Sequence, residues 1–597
     1  MPARKFQSPG LRRSQAITTF GPGSIVDLRF SSVMMAGLDF WPDKHAIITH
    51  EPNLERILHV DEFRIPSTRD ISGGRDLPAV IFPRWQVCPK CDRLAEWDTF
   101  ALGLHQPGRA LKCPDCNIRV YPARLIVACR HGHIDDFPWI GWVHNRSNLP
   151  ICERPTLFLK ARGFSSSLAD LQLSCKGPDC DASTNMGGAT EERNFKAYRC
   201  EGNRPWLKDS EDCGDPIKPL QRGASNVYFS VQASSISIPP WSKGVYSQLD
   251  RHWAVFKNAP DHILKDLVNS MNLPEILGTD SAEIIDAIRF RKSQDSGDLE
   301  DLSERDLRYM ECKALRQPNP EYDPASEFKT SEAPVHPDLS DWISRVILVE
   351  RLREVRALLG FTRIEPPDPS DRLTSRRVPI SRRRLNWAPA VEVRGEGIYL
   401  ELDEGALLSW LESWGRIVSK RAGHLHSTYV EICKRRDWQI LREITPRLLL
   451  VHSFAHLLIR QLALESGYSA ASLRERLYVF EPSEMDDDSS GIAGLLIYTS
   501  TPDSEGSLGG LVRQGHPDRL FRTVMGALRE SSWCASDPLC IESEGQGPDS
   551  TNLAACHACM LISETSCEEF NRFLDRGMLS STLEEQDSGF FSSLSGD

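Results

Sequence analysis

The chain has 597 residues, of which 40% are hydrophobic and 26% charged, and a formal net charge of −12. This length exceeds what one hydrophobic core supports, so about three to five domains are expected. The negative balance excludes a protein that coats nucleic acid through its overall charge, although a local basic stripe could still bind it. Many of the 17 cysteines stand in close pairs, which in a reducing compartment indicate metal sites rather than disulfides.

Neither a secretion signal nor a membrane span is expected. Residues 1–27 lack a continuous apolar segment after their basic residues. The most apolar stretch, residues 448–464, is interrupted by His452, His456 and Arg460 and is too short to cross a bilayer. We therefore expect a cytoplasmic protein without a membrane partner.

The predicted fold class is α+β, multidomain, with zinc-ribbon-like modules, a helical middle region and a C-terminal α/β zinc-binding domain. Apolar residues at helical spacing before Gly360 predict a helix over residues 346–360. Strands are predicted at 227–231, 477–481 and 492–499, and a frayed tail from Ser580. Five consecutive domains follow: an N-terminal segment (1–80), a zinc ribbon with a Cys/His segment (81–149), a second cysteine module (150–240), the middle region (241–435) and the C-terminal domain (436–597).

The clearest motif is a pair of C-P-x-C knuckles separated by 21 residues. This spacing is typical of a zinc ribbon, in which each knuckle turns at the tip of a hairpin. Four cysteine ligands leave no coordination position for water, so the metal would be structural. The predicted ligands are Cys88, Cys91, Cys113 and Cys116.

Two looser arrays predict further structural zinc, which gives up to three sites in all. Cys152 lies outside the first of these arrays and is expected to be unliganded, while Cys534 is a spare or an alternative fourth ligand of the second. The predicted ligand sets are Cys175, Cys180, Cys200 and Cys213 for one site, and Cys540, Cys556, Cys559 and Cys567 for the other.

Residues 129–136 place one cysteine, two histidines and two aspartates in a short segment. Adjacent residues of a strand point to opposite faces, so these side chains cannot all converge on one ion. We interpret the segment as a structural turn, with an auxiliary metal or nucleic-acid contact as the alternative and catalysis as the least favoured reading. His452 and His456 share a helix face, but Ser453 replaces the glutamate of H-E-x-x-H, so both histidines are expected to pack against a sheet.

The most basic stretch of the chain, near residues 372–387, contains arginines beside a tryptophan. Guanidinium groups can bind phosphate while an indole stacks on a base, which favours single-stranded nucleic acid; a solvated or partner-facing surface is the alternative. The candidate phosphate contacts are Arg376, Arg377, Arg382, Arg383 and Arg384, and Trp387 is the candidate base stacker.

Motifs of the common enzyme classes are absent from the sequence. It contains no G-x4-G-K-[ST] phosphate loop, no G-x-S-x-G elbow and no His-x-Lys phosphodiesterase motif. No pair of carboxylates has the spacing of a two-metal nuclease. The protein is therefore predicted not to be an enzyme.

Three separated segments carry a family resemblance. The segments RRSQ (12–15) and TTFGPGSIVDL (18–28), with RLREVRALLGFTRIEPP (351–367), resemble the DrmB family, the helicase partners of the DISARM anti-phage system. Residues 444–576, with DPLC, AACHAC and ETSCEEFNRFLDR, resemble a zinc-binding domain of unknown function attached to certain bacterial superfamily-two helicases. The resemblance implies a non-catalytic subunit that binds the large ATP-dependent helicase DrmA and helps it engage DNA with a single-stranded end.

Two other functions remain open from the sequence. A metal-dependent nuclease would use the 129–136 segment and the two helix histidines with a divalent ion outside the cysteine sites. A protein-only scaffold would use the arginine run to contact an acidic partner.

Overall fold

The chain folds as a multidomain α+β protein with two compact units, each assembled from separate stretches of sequence. Unit 1 comprises Met1–Ile47, Arg64–Ala233 and Ala357–Val391, and unit 2 comprises Ile48–Phe63, Ser234–Arg356 and Glu392–Asp597. The five-domain division made from the sequence follows the order of motifs along the chain and stays a prediction. The computed structural model describes residues 11–42, 46–66, 77–101, 110–162, 167–242, 244–249, 252–277, 279–296, 302–318, 326–367, 377–484, 490–499 and 509–594.

The two longest helices, of 33 and 21 residues, lie in the second half of the chain. In chain order the helices are α1 (Gln15–Thr18), α2 (Pro52–Leu58), α3 (Trp97–Ala101), α4 (Trp139–Arg146), α5 (Gly244–Leu249), α6 (Trp253–Lys257), α7 (Leu264–Ser270), α8 (Leu273–Leu277), α9 (Ser281–Ser296), α10 (Glu304–Arg316), α11 (Glu404–Arg436), α12 (Pro446–Ser466), α13 (Pro517–Ser531) and α14 (Gly577–Ser580).

The strands of the first 240 residues are mostly short. They are β1 (Ile25–Asp27), β2 (Ser32–Met35), β3 (Ile47–Thr49), β4 (Glu62–Ile65), β5 (Ala79–Ile81), β6 (Trp85–Val87), β7 (Arg93–Glu96), β8 (Tyr121–Pro122), β9 (Leu125–Ala128), β10 (Ile134–Asp136), β11 (Leu157–Ala161), β12 (Leu171–Cys175), β13 (Ser183–Asn185), β14 (Asn203–Arg204), β15 (Asp209–Ser210), β16 (Lys218–Gln221) and β17 (Phe229–Ile236). The later strands are β18 (Lys329–Ala333), β19 (Ile343–Thr362), β20 (Trp387–Leu402), β21 (Leu473–Phe480) and β22 (Ile492–Thr499).

Unit 1 contains several small sheets. The largest has the order β13-β12-β11-β7-β6-β8, and β10-β9-β16, β1-β2-β5 and β14-β15 form separate sheets. One aromatic cluster packs beside them, where Trp142 stacks on Phe195 with ring centroids 5.3 Å apart. Each short strand buries little apolar surface, and the buried residues of this unit are divided among several clusters.

Unit 2 has a larger core, with helix α12 at its centre. Thr445 caps the helix by accepting a hydrogen bond from the Leu448 amide, and Gly467 ends it in the left-handed conformation. By length and composition α12 is the one described helix apolar enough to cross a membrane, and 72% of that stretch is buried inside the protein. Its apolar character is therefore accounted for by the core.

Strand β19 replaces the helix predicted over residues 346–360, so that prediction is wrong. Val346, Ile347, Val349 and Val355 are β-branched and fully buried, as a central strand requires. The helix had been predicted from the helical spacing of the apolar residues before Gly360, and charged residues lie between them. Arg353, Glu354 and Arg356 are buried, and the Arg356 guanidinium donates to a Glu354 carboxylate oxygen at 2.7 Å.

The C-terminal elements are partly as predicted. Strands β21 and β22 confirm the two strands expected there, and they pair antiparallel with Leu473 opposite Thr499. The tail is not frayed over its described part, because Phe590 and Phe591 are buried in the core. The Trp410 indole also donates to the Ser588 carbonyl oxygen at 2.8 Å. Two consecutive aromatic residues in a polar tail were the signal for this packing.

A buried arginine joins the three segments of unit 2. Arg353 donates to Ser237 at 2.7 Å, to Thr49 at 2.8 Å and to Glu392 at 2.8 Å. Its guanidinium also lies 3.3 Å from Glu51, which has no exposed surface. Burial opposes ionisation of Glu392, but the Arg353 charge lowers the pKa of its carboxyl to about 2.

We predict that Arg353→Met destabilises unit 2 by about 3–5 kcal/mol at pH 7, because it removes the cation that lies between the buried Glu51 carboxylate and the partly buried Glu392 carboxylate. Glu392 has a folded pKa below its ordinary value, so its stabilisation is present above that value and is lost as the pH falls towards 2. The difference between variant and wild type should therefore shrink below about pH 4. Urea unfolding of the variant and the wild type, at pH 7 and below about pH 4, measures this difference in the free energy of unfolding.

The matched control is Arg416→Met, which removes an exposed arginine of α11. It should change the free energy of unfolding by less than about 0.5 kcal/mol. Equal effects of the two variants would contradict the importance of the Arg353 network.

Candidate metal centres

Five groups of four side chains present metal-ligand atoms to one another in the described residues. Within each group all four ligand atoms lie within 4.8 Å of one another. A tetrahedral zinc with Zn–S bonds of about 2.3 Å requires sulfur atoms about 3.8 Å apart. The groups are Cys88, Cys91, Cys113 and Cys116; Cys129, His133, Cys200 and Cys213; His144, Cys152, Cys175 and Cys180; Cys534, Cys540, Cys556 and Cys559; and His452, His456, Glu475 and Cys567.

The first group, here called the ribbon site, contains the four cysteines that the knuckle spacing assigned to one site. The Sγ atoms of Cys91 and Cys113 are 3.8 Å apart. Each knuckle is a tight turn: the Asp92 amide donates to the Cys88 carbonyl at 2.9 Å, and the Asn117 amide donates to the Cys113 carbonyl at 2.8 Å. Asp92 and Asn117 have φ values of 60° and 54°, a conformation that Asp and Asn tolerate better than most residues. The backbone therefore presents both cysteine pairs to one point.

The second group, the hairpin site, is built on the turn between β9 and β10. The Cys129 amide donates to the His133 carbonyl at 3.1 Å, which places both side chains at the hairpin end. The His133 Nδ1 atom lies 3.4 Å from Cys129 Sγ, and its Nε2 atom lies 2.7 Å from a Glu211 carboxylate oxygen. Cys213 Sγ is 4.0 Å from Cys129 Sγ. A carboxylate on the far nitrogen of a ligating histidine is a common orienting contact at zinc sites.

The third group, the helix site, takes its histidine from α4. The His144 Nδ1 atom lies 2.7 Å from the Ile140 carbonyl oxygen, so its Nε2 atom faces Cys180 Sγ at 3.4 Å. The Sγ atoms of Cys152 and Cys175 are 3.6 Å apart. Three thiolates and one imidazole form a common structural zinc shell.

The hairpin and helix sites correct the grouping predicted for this region. Cys175 and Cys180 are not brought together with Cys200 and Cys213; each pair has other partners. Cys175 ends β12, whereas Cys200 and Cys213 lie on either side of the β14–β15 hairpin. The missing ligands come from upstream, namely Cys129 with His133 and His144 with Cys152. Cys129 and Cys152 belonged to no predicted ligand set, and these two unassigned cysteines were the signal in the sequence that this region holds more than one site.

The remaining polar residues of the 129–136 segment do not join the hairpin site. His131 lies 3.0 Å from an Asp215 carboxylate oxygen, and Asp135 accepts a hydrogen bond from Asn203. Asp136 accepts from the Arg84 amide at 3.1 Å. The segment therefore forms the turn between β9 and β10, as the favoured interpretation expects, and also supplies two candidate metal ligands, as the auxiliary-metal alternative expects.

The fourth group, here the C-terminal cysteine site, also differs from the predicted set. Cys534 Sγ is 3.5 Å from Cys556 Sγ, Cys540 Sγ is 3.8 Å from Cys559 Sγ, and the Cys556 and Cys559 sulfurs are 3.7 Å apart. Cys534, the predicted spare, is thus the fourth member. Cys567 lies elsewhere, beside the two histidines of α12. Spacing alone could not distinguish these two cysteines.

The predicted DNA contacts differ in accessibility. Arg376 lies outside the described residues. Arg377 is partly buried, and this burial lowers the pKa of its guanidinium. Arg382 is bound within unit 1, because it donates to the Leu207 carbonyl and lies 3.5 Å from Asp209.

Trp387 is not available for base stacking in this structure. Its side chain is 8% exposed, and the Arg64 guanidinium lies 4.4 Å from the centre of its ring. Arg383 and Arg384 are exposed, and the structure gives their guanidinium groups no hydrogen bond or ion pair with a described residue. Of the predicted phosphate contacts in the described part of the chain, these two remain accessible and unengaged.

Comparisons with known proteins identify both ends of the chain. A domain of unknown function, DUF8724, matches residues 12–229, and the MrfA Zn-binding domain matches residues 454–560. The chain is 33% identical over 585 residues to the DISARM protein DrmB of Bacillus paralicheniformis, covering 94% of this chain and 99% of that one. The C-terminal cysteine site lies within the MrfA Zn-binding match, so zinc is the cofactor that the fold and the ligand chemistry support.

The interleaved ligand pairing can be tested by counting zinc. We predict that Cys175→Ser combined with Cys200→Ser removes two zinc ions, because the cysteines belong to different sites. Cys175→Ser combined with Cys180→Ser should remove one. Plasma mass spectrometry of the purified full-length protein measures the metal content.

Cys312→Ser is the control, since that thiol lies 3.5 Å from the Tyr399 hydroxyl and belongs to no group. It should leave the zinc content unchanged. Loss of a single zinc from both double variants would support the four-cysteine site read from the sequence instead.

Proposed function

Since the chain belongs to the DrmB family of DISARM proteins, we propose that it is a non-catalytic subunit that binds the helicase of the complex and helps it engage DNA. Its place in a DISARM anti-phage system follows from the family. The observation that carries the rest is the similarity to DrmB along 94% of this chain and 99% of that protein. Similarity of that extent covers both units rather than one zinc module. We place the protein in the cytoplasm, where thiols stay reduced and able to bind metal.

A non-catalytic role is supported by the metal centres. The ribbon, hairpin, helix and C-terminal cysteine sites each offer four protein ligands, which leaves no position for an activated water. The sequence also contains no phosphate loop to bind ATP. The nuclease alternative is less favoured, because His133 faces Cys129 and Glu211 while Asp135 and Asp136 accept hydrogen bonds within the fold.

DNA contact is supported by Arg383 and Arg384. Both are exposed next to Arg382, whose backbone amide donates to Asp39 at 2.8 Å. This hydrogen bond fixes the backbone at Arg382, so the guanidinium groups of Arg383 and Arg384 extend from an ordered segment. Arginines presented in this way neutralise backbone phosphates of a single strand without reading its sequence.

We predict that Arg383→Ala with Arg384→Ala weakens binding of the helicase complex to DNA with a single-stranded end by about five- to tenfold near 0.1 M salt. Each phosphate contact contributes about 0.7 to the slope of log K against log salt. The slope should therefore fall by about 1.4 in fluorescence anisotropy titrations.

The charge-matched control is Arg416→Ala with Arg435→Ala, two exposed arginines of α11. It should leave both the affinity and the salt dependence unchanged. If the Arg383/Arg384 variant bound DNA normally but no longer held the helicase, the arginines would serve an acidic protein partner, as the scaffold alternative requires.

Helicase contact is supported by an apolar pair beside the C-terminal cysteine site. Trp533 is 70% exposed and Leu539 is 82% exposed, whereas their neighbours Cys534 and Cys540 are buried metal-ligand candidates. A bound zinc would hold both apolar side chains on one short loop. Large exposed apolar residues on a rigid loop are typical of protein interfaces, where tryptophan often contributes most of the binding energy.

We predict that Trp533→Ala with Leu539→Ala weakens the association with the helicase by at least about thirtyfold, which corresponds to removal of one interface anchor of about 2 kcal/mol. Zinc content should stay unchanged, because neither residue is a ligand. Co-purification followed by interferometry measures the affinity.

Ile276→Ala with Leu408→Ala is the control for loss of exposed apolar surface, since these residues are 62% and 49% exposed. It should not affect the affinity. Undiminished helicase binding by the Trp533/Leu539 variant would show that the helicase docks elsewhere.

A further inference from the structure

The fifth group, here called the mixed site, lies inside unit 2 between α12, β21 and the loop that follows Cys559. His452 and His456 come from α12 and Glu475 comes from β21, and none of the three has exposed surface. Cys567, from the loop, is 3% exposed. A buried carboxylate, a thiol and two imidazoles in one place are costly unless each polar atom has a partner.

Backbone carbonyl groups fix the ring orientation and the protonated nitrogen of both histidines. The His452 Nδ1 atom lies 3.2 Å from the Phe573 carbonyl oxygen, and the His456 Nδ1 atom lies 3.0 Å from the Met560 carbonyl oxygen. A carbonyl can only accept, so each Nδ1 carries a proton. Both Nε2 atoms are then turned towards Glu475, His452 at 3.1 Å and His456 at 3.6 Å. Histidine ligands of metals are usually held in this way by a bond to the other ring nitrogen.

Hydrogen bonds alone leave this centre incomplete. His456 Nε2 and Glu475 Oε2 are both buried without a hydrogen-bond partner. An imidazolium at His452 would satisfy one oxygen of Glu475 and leave the other oxygen and His456 unpaired. A cation between the four side chains would provide a partner for all of them at once.

The charge and the distances fit zinc. Cys567 Sγ accepts hydrogen bonds from the amides of Glu569 at 3.3 Å and Asn571 at 3.2 Å, as expected of a thiolate. One thiolate and one carboxylate balance a divalent ion. A tetrahedral zinc places nitrogen and sulfur ligands about 3.5 Å apart and nitrogen and oxygen ligands about 3.3 Å apart. The His452 Nε2 atom lies 3.3 Å from Cys567 Sγ and 3.1 Å from Glu475 Oε1.

We propose that His452, His456, Glu475 and Cys567 form a second zinc site in unit 2, in addition to the C-terminal cysteine site. Four protein ligands close the shell and no ligand is exposed, so the ion is structural. It ties the central helix to strand β21 and to the loop of Cys567. Two of its ligands, His452 and Cys567, lie outside residues 454–560, which match the MrfA Zn-binding domain.

Native mass spectrometry of the full-length protein is the test. The wild type should carry five zinc ions, and Glu475→Gln, Cys567→Ser and His456→Asn should each lose one while the cysteine-rich sites keep theirs. Cys433→Ser, which removes a buried thiol of α11 outside every group, should lose none.

Combining Cys567→Ser with Cys556→Ser should remove two zinc ions, which separates the mixed site from the C-terminal cysteine site. A wild-type protein with four zinc ions would overturn the proposal, and so would an unchanged zinc content in both Glu475→Gln and Cys567→Ser. A wild-type count of five supports the mixed site even where a variant fails to fold, because the other four groups account for only four ions.

Discussion

Metal coordination by side chains far apart in sequence is the constraint on which this structure depends. Unit 1 consists of short strands and loops, and the ribbon, hairpin and helix sites lie where those loops meet. A structural zinc contributes an apparent binding free energy of about 10–16 kcal/mol at neutral pH. That equals the whole stability of a typical domain, about 5–15 kcal/mol. Coordination would therefore add to the buried core of this unit a stabilisation comparable to that of a whole domain.

The ligands of the helix site all lie, in sequence, between those of the hairpin site, and this order affects how unit 1 folds. The hairpin site joins Cys129 to Cys213, and the helix site joins His144 to Cys180 within that interval. One site is thus nested inside the loop that the other closes. Closing the inner loop first shortens the effective outer loop and lowers its entropic cost. Residues 129–213 should therefore fold as one cooperative element and not as two independent zinc modules.

The metal ligands could be assigned to sites from the sequence only where the ligands of one site lie close together along the chain. The ribbon ligands lie within 29 residues in two regular knuckles, and the structure brings them together as the spacing indicated. The other ligands belong to sites that only the tertiary structure distinguishes. Cys567 was therefore assigned to the C-terminal cysteine site, whereas the structure brings Cys534 there. Strand β22 and the second half of β21 were predictable because each is a short apolar segment beside the acidic turn between them.

Strand β19 was not predictable by the same reasoning. Its helix prediction rested on the spacing of the apolar residues alone, whereas the charged residues Arg353, Glu354 and Arg356 are also buried, in ion pairs. The base-stacking role predicted for Trp387 is not available for a related reason. An aromatic residue beside arginines also suits an intramolecular stack, and Arg64 is the partner in that stack. In both cases a long-range ionic or cation–π contact outweighed the local pattern.

Buried arginines also limit what this chain can offer to DNA. Arg363, Arg447, Arg476 and Arg576 are among its largest fully buried side chains. Arg476, for example, donates to Glu311 at 2.6 Å inside unit 2. Arginine in this chain thus serves internal structure to a large extent, and the net charge of −12 leaves little long-range attraction for phosphate. The proposed engagement of DNA would therefore depend on local contacts, such as those proposed for Arg383 and Arg384, rather than on long-range attraction.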